Sequence, residues 1–449
     1  MHKTVVIDIV GLSSSLINEH TPFLKKYTAE KGLNTIEPML PALTTSVQST
    51  FITGKWPAEH GIVGNGWYDR MDSEIKFWKQ SNKLVLGEKI WERAKKIEPS
   101  FTCSKMFWWY NMYSGADYSV TPRPNYLADG RKLPDCYSQP AELRDELQKK
   151  LGQFPLFKFW GPATDISSTQ WIADASIYTD KKYDPTLTLI YLPHLDYCLQ
   201  KYGQDLSAIG KDLSEIDKIV EQLVNHYASK DTRIILLSEY GITNVDRPVH
   251  INRELRKNNL LGIRTERGLE LLDPGTSKAF AVADHQVAHI YINDPAVTSQ
   301  VRQLLEKLPG VQLILNKEEQ RQYHIDHERS GDLVVVADER SWFTYYFWLD
   351  DAVAPDYARV VDIHKKPGYD PVELFMTSKA RAGYKLLRKK LGLRYVMDVI
   401  PLNAGLIKGS HGRMVTDKVF HPVLITDQLK GQQVKATGVY DLIWDNLTR

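Results

Sequence analysis

Two short runs, TLTLIYL at residues 186–192 and TRIILLS at 232–238, are rich in aliphatic and β-branched residues and lack a polar face sustained along their length. A strand of that kind has to be covered on both faces, which is the condition of a strand inside a parallel sheet. Between them, residues 205–228 place Leu206, Ile209, Leu213, Ile216, Ile219 and Val220 at helical spacing, predicting an amphipathic crossover helix. Parallel neighbours need such a crossover, so the segment reads as a βαβ unit. The run TVVIDIV at 4–10 has the same character, and together they predict an α/β fold with a mostly parallel central sheet and helices on both faces.

Composition bounds what such a sheet is for. The 449 residues are 43% hydrophobic and 25% charged, enough for one large or two medium cores. Basic and acidic residues balance at 57 against 55, so no global field predicts a nucleic-acid or membrane partner. Cys103, Cys136 and Cys198 are widely spaced and odd in number, which predicts free thiols in a reducing cytoplasm. The start MHKTVVIDIVGL reads as a first strand rather than a leader, and no run approaches the ~20 apolar residues of a membrane span. The rhythm breaks twice. Residues 66–130, dense in aromatics (FWWYNMYSGADY), predict an insertion, and 245–400 predict a smaller cap subdomain, leaving 1–244 and 401–449 as core.

Ligands of open parallel sheets bind beyond the carboxyl ends of the strands. Asp8 lies at the end of the first strand, Thr44 follows the second, and Asp196 and Glu239 follow the two runs above. One acidic residue after a strand is an ordinary turn or cap residue. Several converging carboxylates repel one another unless cations lie between them, which predicts a hard divalent metal site or pair. Thr44 opens the hydroxyl-rich stretch LPALTTSVQSTFITGKWPAEHGIVGN (40–65). A hydroxyl at a helix start sits among unpaired N–H groups, where a phosphoryl oxygen is also held.

That stretch resembles the nucleophile region of the nucleotide pyrophosphatase/phosphodiesterase family of the alkaline phosphatase superfamily. Pro41, Thr44, Thr53, Gly54, Pro57, His60, Gly61, Ile62 and Asn65 stand at the positions of its pattern. The resemblance implies an alkaline-phosphatase-like sheet with an inserted cap, and hydrolysis of a phosphodiester or pyrophosphate bond through a phospho-threonine at Thr44. It also implies that Asn65 holds a phosphoryl oxygen and that two zinc ions are bound. By position, the first metal would be held by Asp8, Thr44, Glu239 and Tyr240, and the second by Asp196, Gln200 and His411 of GSHGR.

Three of these positions depart from the family pattern. Glu239 and Tyr240 replace an Asp-His pair, and Gln200 replaces a His. A phenol with a pKa of ~10 ligates zinc only when deprotonated, and an amide oxygen is a weak ligand. The set therefore shifts from nitrogen towards oxygen, favouring manganese, magnesium or calcium. Substitute ligands are sought among histidines beside an Asp: His285 (with Asp284) and His364 (with Asp362) rank above His324 and His327. His194 should point to the opposite face from Asp196. FWWYNMY could stack on a nucleobase or pack in a core, and Lys365 and Lys366 could bind an anion or form a solvated face. The implied partner is a small phosphate ester or nucleotide-like molecule. Phosphonate, sulfate-ester or phosphomonoester hydrolysis on the same scaffold, or a non-catalytic binder, stay open.

Overall fold

Alternation along three central strands divides the interior into two cores, one on each face of a single sheet. In a computed structural model describing residues 1–449, nine strands form this sheet. They are β1 (Thr4–Ile9), β2 (Leu33–Ile36), β3 (Cys103–Met106), β4 (Tyr118–Pro122) and β5 (Cys136–Gln139), then β6 (Leu187–Leu192), β7 (Arg233–Leu237), β8 (Val423–Ile425) and β9 (Gln433–Val434). Their spatial order is β9-β2-β8-β7-β1-β6-β3-β4-β5. β1 pairs in parallel with both β6 and β7, β6 with β3, and β3 with β4. Only β8 and the edge strand β5 run against their neighbours.

Val5, Ile7 and Ile9 of β1 face a core shared with Ile172, Leu213 and Ile216. Val6 faces the opposite way, onto Val47, Phe51 and Ile443. The first face is covered by helices Ser167–Tyr183 and Leu206–Ala228, the second by Thr44–Thr53 and Gly438–Thr448. We number the helices used below α1 (Thr44–Thr53), α2 (His194–Tyr202) and α3 (Leu206–Ala228). The crossover face of α3 is as the spacing predicts except at Leu206, which is 36% exposed because the chain is still turning out of Asp205, the N-cap.

Between β7 and β8, residues Ala279–Asp284, Val287–Ile292, Val311–Leu315 and Leu333–Ala337 form a separate antiparallel sheet. No strand of the central sheet comes from 245–400. The stretch read as an aromatic insertion differs from that expectation, since residues 103–106 and 118–122 lie within the central sheet as β3 and β4. Their buried Ser104, Lys105, Ser119 and Thr121 hide the apolar signature of a strand. WFTYYFWL likewise forms a strand only over Ser341–Phe343; beyond it Tyr345, Tyr346 and Trp348 pack as a buried aromatic knot. All three cysteines are free and buried.

The return of the chain at GSHGR depends on close backbone approach. A Cβ on Gly409 would lie 2.2 Å from the Leu199 carbonyl oxygen of α2. Since the obstacle is backbone, Gly409→Ala has to displace either α2 or the 409–413 turn. We expect about 2 kcal/mol or more of destabilisation in urea unfolding, the range of overpacked sites.

Candidate functional site

α1 starts the site. It is buried at every residue, and Leu43, the N-cap, offers no capping side chain. The hydroxyl cluster serves that burial: Ser49, Thr50 and Thr53 donate to the carbonyls of Thr45, Ser46 and Ser49 at 2.6, 3.0 and 2.7 Å. Thr50 Oγ1 lies 3.0 Å from His60 Nε2, while His60 Nδ1 accepts from the Ile62 N–H at 3.1 Å. Burial holds His60 neutral, down to about 3, so it is a strut for the 61–65 loop and not a charge.

The missing cap comes from Asn65. Its Oδ1 accepts from the Thr45 N–H at 3.2 Å and from Thr45 Oγ1 at 3.1 Å. Asp284, from the smaller sheet, holds Asn65 in turn, accepting from its backbone N–H at 2.8 Å and its Nδ2 at 3.2 Å. An amide carries two N–H donors, so one Nδ2 proton remains uncommitted.

Around Thr44 the structure gathers Asp8, Glu239 and Tyr240. Thr44 Oγ1 is 2.8 Å from the Tyr240 hydroxyl. One turn along α1, Gln48 Nε2 donates to Glu239 Oε1 at 2.6 Å and to Asp8 Oδ2 at 3.3 Å. Gln48 is itself fixed by the Trp109 N–H, which donates to its Oε1 at 2.8 Å. The aromatic block thus belongs to the packing, with Trp108 and Tyr110 fully buried and Trp109 supporting Gln48. Asp8 Oδ1 and Glu239 Oε2 are left buried without any partner. Burial pushes both carboxyls up from their usual range; the Glu239 charge adds to this at Asp8, while bonds from Asp8, Gln48, Thr44 and Tyr240 temper it at Glu239.

Asp196, in the first turn of α2, lies on the other side of Tyr240. Gln200 Nε2 donates to Asp196 Oδ2 at 2.8 Å, and Gln200 Oε1 accepts from the Tyr369 hydroxyl at 3.0 Å. Burial, against the Gln200 bond, raises Asp196 to about 7. His411 donates Nδ1–H to the Ala42 carbonyl at 2.8 Å, which turns Nε2 towards Asp196 Oδ1 at 3.6 Å. His285 is delivered by the tip of the hairpin Ala279–Asp284/Val287–Ile292, with Nδ1 2.8 Å from Asp284 Oδ1. Four rings then stack in sequence: Tyr240 on His411 at 3.6 Å, His411 on His285 at 3.8 Å, and His285 on Tyr369 at 3.7 Å. Both imidazoles are held neutral by burial, and each keeps an unpartnered Nε2.

Asp8, Thr44, Asn65, Asp196, Gln200, Glu239, Tyr240, His285 and His411 therefore lie in one buried cluster. His364 does not join it; it is surface-exposed, with Nδ1 3.3 Å from the Phe77 carbonyl. Lys366 is neither free nor solvated. It is 2% exposed and bridges Asp370 and Glu373, each at 2.7 Å. His194 does point away from Asp196, but because both stand on helix α2 and not on a strand, where positions two apart are turned about 200° from each other; its Nε2 lies 2.9 Å from Asp212 Oδ1 and 3.9 Å from Glu215 Oε2. These three hold the one group of three acidic or imidazole ligand atoms within 4.8 Å of one another. Sequence reasoning missed Gln48 and Tyr369, which are uncharged and lie outside any strand end. A cavity of about 10 Å³ beside the stack is lined by Trp78, Trp160, Lys366, Tyr369 and Asp370, and residues 362–370 cross this side of the site as a strap, with Tyr369 against His285 and Gln200.

Known proteins share this fold. Murine ectonucleotide pyrophosphatase/phosphodiesterase 5, in an inactive form in complex with AMP, superposes with a TM-score of 0.60 at 14% identity, covering 100% of this chain and 95% of that one. Phosphonoacetate hydrolase from Sinorhizobium meliloti gives a TM-score of 0.63 at 13% identity, covering 100% and 96%. These likenesses establish an alkaline-phosphatase-like fold. In sequence, ectonucleotide pyrophosphatase/phosphodiesterase 2 of Saccharomyces cerevisiae is 22% identical over 267 residues, 54% of this chain and 48% of that protein. A Caenorhabditis elegans ectonucleotide pyrophosphatase/phosphodiesterase is 20% identical over 304 residues, 66% of this chain and 30% of its own length. The matched region thus spans less than half of these curated relatives. The family model for type I phosphodiesterase / nucleotide pyrophosphatase matches residues 4–370, a span that takes in every residue of the cluster except His411, and the chain belongs to that family.

Proposed function

We propose that this protein is a divalent-cation-dependent hydrolase of a phosphodiester or pyrophosphate bond in a small, nucleotide-like substrate, with Thr44 as the attacking residue. In this reading 245–400 form a cap over a core of 1–244 and 401–449. The observation that carries it is the placement of Thr44 Oγ1 at the start of a buried helix, beside two carboxylates that each keep one unpartnered oxygen.

The donor chemistry fits one hard cation on Asp8, Glu239 and Thr44: two buried carboxylates with raised proton affinity and no cationic side chain between them. When bound there, such an ion supplies Lewis-acid stabilisation to the attacking oxygen. The fit is poorer for a zinc ion on Asp196, Gln200 and His411, because Gln200 turns an N–H towards Asp196 and gives its oxygen to Tyr369. The phenol of Tyr240 is pushed well above its usual range by burial and by Asp196 and Glu239, so it acts as a neutral hydrogen-bonding group and not as a phenolate ligand.

In the chemistry we propose, Thr44 Oγ1 attacks phosphorus and gives its proton to the Tyr240 oxygen, while Tyr240 passes its own to Asp196; the phosphorus–oxygen bond opposite breaks, and the departing alcohol or phosphate leaves to solvent, which supplies its proton. An acceptor near neutrality suits that transfer. The free Nδ2 proton of Asn65 holds a non-bridging phosphoryl oxygen. Water then hydrolyses the phospho-threonine. The bound Gln200 amide favours a second reading, a scaffold that binds phosphate esters without turning them over.

The test is hydrolysis of an activated phosphodiester by chelator-stripped protein titrated with zinc, manganese or magnesium. Asp196, ionising at about 7, must be in its base form, so turnover rises with pH and is about tenfold lower at pH 6 than at pH 8. Turnover that ignores added cations would overturn the proposal, and its absence with every cation would favour the binding scaffold.

A further inference from the structure

Even overall charge conceals one strongly uneven segment. Residues 379–397 carry seven Lys or Arg and no Asp or Glu, in a chain whose net charge is only +2. Lys379–Lys390 form a helix that docks on the body through one edge, with Ala382 buried and Lys385 2.7 Å from Asp398. Arg381 also pairs with Asp398, at 2.5 Å. The remaining five bases, Lys379, Arg388, Lys389, Lys390 and Arg394, make no ion pair.

The opposite edge is apolar and open. Ala380, Tyr384, Leu387 and Leu391 recur at a spacing of four, three and four, which puts them on one stripe. Tyr384, Leu387 and Leu391 are 55%, 55% and 64% exposed. On the wheel of the helix, Lys379 and Lys390 border this stripe on one side and Arg381 and Arg388 on the other. The turn that follows extends the same surface with Leu393 and Val396, both more than half exposed. Single exposed leucines are ordinary, but a continuous stripe bordered on both sides by bases is not.

We propose that Lys379–Val396 is a membrane-surface element that docks onto an anionic lipid bilayer, with the leucine stripe entering the interface and the flanking bases meeting headgroup phosphates. A charged polar face beside a narrow apolar one is the pattern of helices that lie in the interfacial plane. The bases complement the negative surface of such a membrane, each adding a nearly independent attraction. No helix of this chain is long and apolar enough to cross a membrane, and this element lies on one without crossing it. Its tie to the catalytic region is direct in the chain, since the strap 362–370 and the Pro371–Leu374 turn immediately precede it.

The test is co-sedimentation of the full chain with vesicles of phosphatidylcholine alone or with about one third phosphatidylserine. Binding should be confined to the anionic vesicles and weaken with added salt. Leu387→Glu with Leu391→Glu should abolish it, and Lys379→Glu with Lys390→Glu should reduce partitioning by at least about 10-fold. All four positions are exposed, so an unchanged urea midpoint verifies that each variant still folds. Equal partitioning onto both vesicle types, no binding to either, or binding that survives both variants would overturn the proposal. So would a concentration-dependent dimer, seen by light scattering and dissolved by the leucine variant, in a protein that ignores vesicles.

Discussion

Thr44→Ala is expected to lower turnover of an activated phosphodiester by ~10³-fold or more, with the protein still folded and still binding cation. The loss is large because attack and proton transfer begin at the same atom, Oγ1, and nothing nearby replaces it. Ser46 is two residues on, and helical geometry turns it about 200° around the axis from Thr44, while the Thr45 hydroxyl between them is committed to the Gly64 carbonyl and Asn65 Oδ1. Stability should change little, since the helix start is held by Asn65 through Thr45 and not through Thr44. Thr44→Ser keeps the oxygen and should retain measurable turnover. The check is steady-state hydrolysis at saturating cation beside a urea curve for each variant; an alanine variant with wild-type turnover removes Thr44 from the chemistry.

The largest expected effect on stability lies in the strap. Lys366→Met should cost about 3–5 kcal/mol, the range for breaking a buried ion pair by deleting one partner. Burial alone would depress the Lys366 ammonium, but Asp370 and Glu373 outweigh it and hold the group above its usual range. Without it two buried carboxylates face each other. Glu373 is further committed, with Oε2 accepting from Trp160 Nε1 at 2.5 Å and Oε1 from the Asp362 N–H at 2.9 Å, so it cannot turn away to solvent. Adding Asp370→Asn to Lys366→Met removes one of the stranded charges and should recover part of the loss in urea unfolding. A single variant as stable as the parent would mean that the triad contributes nothing.

How far these features could be read from the chain follows from what each one is made of. The runs that became β1, β6 and β7 are apolar on both faces, so their burial could be foreseen. β3 and β4 carry buried serines, a threonine and a lysine, which break the apolar run that would betray them as strands. Lys105 illustrates the difficulty: it is fully buried, held by the Tyr110 carbonyl at 3.0 Å, and burial lowers it to about 7. The acidic residues of the site were legible because they end strands, and Thr44 because it opens a helix. His285 was legible only through its neighbour Asp284, and that neighbour also serves Asn65 across the fold. Gln48, Tyr369 and the Lys366 triad depend on contacts that only the folded chain creates.

Asn65 joins the start of α1 to Asp284, and so to the hairpin that carries His285. The hairpin also meets the strap, where His285 lies against Tyr369. A displacement of the strap would therefore be felt at the helix start, through Tyr369, the hairpin and the Asn65 amide. The consequence is mechanical: the alignment of the helix start is set by a residue of the smaller sheet, so the two parts of the chain cannot shift against each other without costing the Asn65–Asp284 bonds.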